Sequence, residues 1–171
     1  MMLEYVFPKY IDKSVVDQES FRVVIAKRQL QQASVDRSTL VRYCKRFFLS
    51  IGMGQIQPLS INLIETPIKR GFYHKIFVDN CLSDKRDIIW LKFTKTGYLG
   101  VIATSNDINL RTDNSSGKII TLLGEEWDEE IIIFPLANIP KEWNRQRIES
   151  GLGNYLIERG IPVLDYFSHN L

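Results

Sequence analysis

The chain is poor in the residues on which most metal and nucleophilic chemistry depends. It holds two histidines and two cysteines in 171 residues. His74, His169, Cys44 and Cys81 lie far apart, with no C-x-x-C pair or other zinc-ligand spacing among them. No apolar run approaches the roughly 18 residues needed to cross a bilayer. The opening MMLEYVFPKYIDKSVV carries Glu4 and Pro8 and has no basic start or small-residue cleavage site, so it does not read as a secretory signal. These absences predict a cytoplasmic protein with reduced thiols and no membrane partner. Charge of one sign is missing too: 22 basic against 20 acidic residues leave a formal charge of +2, too balanced to predict a polyanion partner without a local patch.

Glycine-rich nucleotide loops are absent. In TDNSSGKI, Thr112 stands where the first P-loop glycine belongs and Ile119 where the magnesium-binding Ser or Thr belongs. The G-x-G of GLGNYL falls inside a predicted helix and lacks the third glycine. No cofactor is expected. For nucleophilic catalysis, Ser168 and His169 sit beside Asp165 near the C-terminus, a place that better suits surface residues.

Hydrophobic residues at 44% and charged residues at 25% describe an ordinary globular composition. The length suits one domain with a core of useful size. Up to residue 54 the pattern is helical. Leu40, Val41, Cys44, Phe47, Phe48 and Ile51 share one face, with Ser34 or Asp36 as caps and Gly52 and Gly54 as stops. FRVVIAKR upstream reads as a shorter helix, with a strand as the alternative.

From Pro58 the period changes to two. LSINLIE and HKIFVD alternate, and DIIWLKFT and YLGVIATS form a hairpin through Gly97. Ile89, Leu91 and Phe93 share one face of that hairpin, as do Leu99, Val101 and Ala103. Residues 105–117 read as a loop, KIITLL and EIIIFPL as further strands with the acidic EEWDEE as an exposed turn between them. A C-terminal helix spans 141–159, stopped by Gly160 and Pro162. The expected fold is α+β: an antiparallel sheet of about five to seven strands over 58–136, with 162–167 as a further strand or tail. An N-terminal helical region (1–54) and the C-terminal helix cover it.

QQASVDRSTLVRYCKRFF, residues 31–48, resembles the turn and second helix of a helix-turn-helix. That resemblance implies Arg37, Thr39 and Arg42 toward bases, with Lys45 and Arg46 on phosphates. Two departures stand against it: Leu30 where the helix crossing wants a small residue, and Ser34 where glycine is common.

The strongest local charge feature is Glu125, Glu126, Asp128, Glu129 and Glu130 around Trp127, a candidate surface for a basic partner with Trp127 as anchor. The dispersed acids Asp79, Asp87 and Asp165 are candidates for a divalent-metal site only if the fold assembles them. Asp87 and Lys92 lie five apart and so on opposite strand faces, unlike the E-x-K spacing of metal nucleases. Asp165, interrupting the apolar IPVLDYF, either faces outward by alternation or is buried with a partner, and the outward reading is the one expected.

Three functions follow from this reading. The first is a non-catalytic interaction protein of inhibitor, immunity or adaptor type, with a protein partner. The second is a nucleic-acid-binding protein using the basic helix. The third is a metal-dependent enzyme such as a nuclease.

Overall fold

The segment FRVVIAKR is helical despite three consecutive β-branched residues, because its apolar positions fall at helical offsets. The computed structural model describes residues 18–65, 88–105, 115–136 and 138–165. Helix α1 runs Gln18–Leu30 and buries Ile25, Ala26 and Gln29. Helix α2, Arg37–Ser50, buries Leu40, Cys44, Phe47 and Phe48, the face expected from the sequence. Asp36 occupies its N-cap position, but its side chain makes no cap bond and accepts instead from Ser38 Oγ at 2.7 Å. Gly52, at φ +84°, takes the left-handed turn that ends the helix.

Strands β1 (Leu59–Asn62), β2 (Ile88–Thr94), β3 (Leu99–Ser105) and β4 (Trp127–Pro135) form an antiparallel sheet ordered β1-β4-β2-β3. Among the described residues the sheet therefore has four strands, fewer than the five to seven expected. The HKIFVD stretch lies outside the described residues. The hairpin β2–β3 turns through Gly97 at φ +96°, as its sequence predicts.

Two expectations are corrected. KIITLL is not a strand: it belongs to helix α3, Ser115–Leu122. A short apolar run does not distinguish strand from helix. Here Ile119 and Ile120, with Leu123 one turn on, pack onto Ala26 and Leu164. Second, EEWDEE is not one exposed turn, because Trp127 to Glu130 already belong to β4. After α3 ends at Leu122 the chain turns through Gly124 (φ +72°), and of the acidic run only Glu125 and Glu126 lie in the connection. Of the 162–167 stretch, read as a strand or tail, residues 162–165 are described and add one bridge, Leu99 with Val163. Leu164 N donates to Leu99 O at 2.9 Å and Asp165 N to Gly100 O at 2.8 Å.

The two faces of the hairpin also differ from simple alternation. Lys92 pairs with Val101 but Phe93 pairs with Leu99, so Gly100 is bulged out of the ladder. Leu99 consequently joins Ile89, Leu91 and Phe93 in the main core, while Val101 and Ala103 pack with Ile88 and Trp90 on the other side. Gly100 lies against the indole of Trp127, where a Cβ would stand 2.4 Å from Cζ3.

Helix α4, Arg145–Glu158, completes the layer over the sheet, capped by Asn144 Oδ1 accepting from Arg147 N at 2.9 Å. Ile148, Leu152 and Leu156 enter the main core beside Phe48 and Phe134. Each such large side chain contributes roughly 1.5–3 kcal/mol by leaving water.

Candidate functional site

The two charge features that stand apart in the sequence meet in space. Arg37, at the first turn of α2, donates through Nη1 to Glu130 Oε1 at 2.5 Å and through Nη2 to Asp128 Oδ2. Its guanidinium lies over the Phe93 ring, 4.2 Å from the centroid. Burial works against this charge, but the bonds from Asp128 and Glu130 outweigh it and hold the Arg37 pKa above its ordinary value. Beneath them lies Lys92, fully buried, whose Nζ donates to the carbonyls of Asp128 and Glu130 and sits 3.6 Å from Asp128 Oδ1. Its burial lowers the Lys92 pKa, against the pull of Asp128.

Two more acids of the run are engaged as well. Lys95 Nζ donates to Glu126 at 2.8 Å and Thr96 Oγ1 to Glu125 at 3.0 Å. Ser60 Oγ donates to Glu130 Oε2. Glu129 is exposed. Trp127 is half-buried against the sheet, and its indole N–H is buried without a hydrogen-bond partner among the described residues.

The outer face of α2 is a different surface. Arg42, Lys45 and Arg46 are exposed, and none of them forms an ion pair among the described residues. Arg42 reaches Thr39 Oγ1 at 3.5 Å, and the Arg46 guanidinium lies 5.4 Å from the Tyr43 centroid. Leu49, which is 69% exposed, sits one turn beyond Lys45 and Arg46 on the same face. Sequence reading passed over this leucine because it falls outside the apolar stripe.

Helices α1 and α2 make their larger helix–helix contacts with other helices. Helix α1 packs chiefly on α3, and α2 on α4. The connection between them is fastened to the hairpin instead, with Tyr98 Oη donating to Gln32 O at 2.7 Å and lying 3.2 Å from Leu30 O.

The acids considered for metal binding are not brought together by what the structure describes. Asp79 and Asp87, with His74, Cys81, Ser168 and His169, lie outside the described residues. Asp165 does not face outward as expected. It is buried and held by Arg22, Nε to Oδ1 at 3.0 Å and Nη2 to Oδ2 at 2.6 Å. A carboxylate on an apolar segment is stable there because a guanidinium matches both its oxygens. No group of three or more His, Cys, Asp or Glu among the described residues could hold a metal ion. No helix of these residues is long and apolar enough to cross a membrane. Burial pushes the Cys44 thiol up, away from the reactive thiolate.

Two features on and around α4 escaped the sequence reading. Glu149 is buried and accepts from Thr104 N at 2.7 Å; burial pushes its carboxyl up to about 8. Arg147 and Arg159 each lie over an aromatic ring, Trp143 at 5.3 Å and Tyr155 at 3.4 Å. Neither was visible as more than a helical residue in the pattern.

Compared with known protein families, characterised proteins and solved structures, the chain matches none.

Proposed function

We propose that the protein is a non-catalytic interaction protein whose α2 outer face docks an acidic surface of a protein partner. The observation that carries this reading is the pairing of Asp128, Glu130 and Glu126 within the chain. Asp128 and Glu130 are occupied by Arg37, and Glu126 by Lys95, while Arg42, Lys45 and Arg46 have no such partner among the described residues. The outer face of α2 therefore offers three basic groups not engaged in ion pairs among the described residues, and Leu49 supplies an apolar contact within it. Interfaces between proteins combine an apolar centre with a charged rim, and complementary charge sets on-rate and partner choice.

A protein partner is favoured over nucleic acid on two counts. Arg37, the residue best placed to read a base, is folded back onto β4. The whole chain carries a formal charge of only +2, little attraction for a polyanion. The test is titration of a labelled acidic peptide containing Leu and Phe against the native protein, Leu49→Ser, and the triple variant Arg42→Glu, Lys45→Glu, Arg46→Glu. Both variants should weaken binding, the triple one most. Equal binding by all three proteins rules this face out.

A further inference from the structure

We propose that Gly54 is a positioning residue of the α2 face, whose bare backbone seats Leu49 in one outward pose and so presents the acidic partner with a preformed apolar anchor. This inference rests on the interaction reading above and names what fixes its apolar contact.

Gly54 is glycine for a reason other than backbone freedom. Gly52, two residues earlier, takes the left-handed turn at φ +84°, whereas Gly54 lies outside that region. What a side chain at Gly54 would meet is Leu49. A Cβ there would stand 2.7 Å from Leu49 Cδ1, 3.5 Å from its Cα and 3.6 Å from its Cβ. Leu49 therefore lies along the Gly54 backbone while remaining 69% exposed. Gly54 is exposed as well, so the two form one small apolar shelf at the end of α2.

The shelf stands on fixed ground. Met53 and Ile56, on either side of Gly54, are buried in the main core. Met53 N donates to Phe48 O at 2.8 Å and Ile56 N to Met53 O at 3.2 Å, which ties this turn to the end of α2. An exposed leucine ordinarily gives up rotamer freedom when it is buried by a partner. One held against a fixed backbone has given up part of it beforehand, and preorganisation of that kind raises affinity.

Charge makes the occupant acidic. Leu49 follows Arg46 by three residues, Lys45 by four and Arg42 by seven, so all four share one helix face. None of the three cations forms an ion pair among the described residues. From Phe47 to Gln57 the chain carries no charge, so the face has a basic end and an uncharged end. A complementary partner sets carboxylates against the first and an apolar side chain against Leu49.

The experiment follows binding of the labelled acidic peptide containing Leu and Phe by stopped-flow anisotropy. The proteins are the native chain, Gly54→Ala, Leu49→Ala and the two replacements together, with thermal melting alongside. Gly54→Ala should melt as the native protein does, because what must move is the free end of an exposed side chain. It should bind about two- to fivefold more weakly, the worth of one leucine's rotamer freedom, through faster dissociation at an unchanged association rate. With Leu49→Ala already present, Gly54→Ala should change neither binding nor melting. Native binding by Gly54→Ala, or the same loss with Leu49 already removed, overturns the positioning role. A melting loss that persists in the Leu49→Ala background overturns it too, since the glycine would then serve the turn alone. If Leu49→Ala weakens binding in those cases, the α2 reading stands without the inference. If Leu49→Ala and the Arg42, Lys45 and Arg46 reversal both bind as the native protein does, the reading itself falls.

Discussion

Arg22 and Asp165 stand 143 positions apart in the sequence and face each other through two parallel N–H···O bonds, with the Asp165 side chain fully buried. The pair ties α1 to the segment that runs beside β3. A buried carboxylate left alone would be very costly, whereas one matched at both oxygens is tolerated.

Replacement Asp165→Asn therefore leaves the Arg22 guanidinium, itself mostly buried, without its counter-charge. Urea denaturation should show a loss of about 3–5 kcal/mol. The double replacement Arg22→Met with Asp165→Leu should recover a large part of that loss. A single variant as stable as the native protein contradicts the buried pair.

Glu149 makes stability depend on pH. Burial holds its carboxyl up to about 8, with the Asp165 charge adding to the effect and the Thr104 N–H bond opposing it. In the unfolded chain such a group titrates near 4.3, roughly. The folded state thus holds an extra proton between those two values, and stability falls as pH rises from about 4 to about 8. Glu149→Gln, which can still accept from Thr104, should flatten that slope and raise stability at pH 8 by about 1–3 kcal/mol. A slope unchanged in the variant places the pH dependence elsewhere.

Gly100→Ala places a methyl group 2.4 Å from Trp127 Cζ3, a separation that forces the indole or the bulge to shift. The expected cost is about 1–3 kcal/mol. Trp127→Leu in the same chain should relieve most of it, as seen by thermal melting. An alanine variant of native stability contradicts the stacking of Trp127 on the bulge.

The Arg37 contact with Glu130 is about one-third exposed on either side, so solvent screens it. A double-mutant cycle with Arg37→Met and Glu130→Gln should give a coupling of about 0.2–1 kcal/mol, decreasing in salt. Coupling below that range would leave the acidic run available to a basic partner.

What the sequence made legible follows from which signals are local. The apolar stripe of α2, the Gly97 hairpin and the stop at Gly160 depend on residues within a few positions, and all three stand as read. The α3 helix was missed because Ile119 and Ile120 owe their burial to Ala26 and Leu164, which no window around KIITLL contains. The bulge at Gly100 breaks the hairpin alternation, placing Leu99 on the face opposite Val101 and Ala103. Asp165 was misplaced because its partner, Arg22, lies near the other end of the chain. The same distance hid the main feature of the site: the basic and acidic stretches read separately as surfaces, yet Arg37 closes one onto the other.

The measurement that bears most directly on this account is a side-by-side titration of the acidic Leu- and Phe-containing peptide and a labelled 20-base-pair duplex, at 50 and 150 mM salt. The account predicts that the peptide binds at both salt concentrations, loses affinity in the Arg42, Lys45 and Arg46 reversal, and that the duplex does not bind at 150 mM. A duplex bound with steep salt dependence and released by the same reversal, with the peptide unbound, would contradict it and make α2 a nucleic-acid-binding helix.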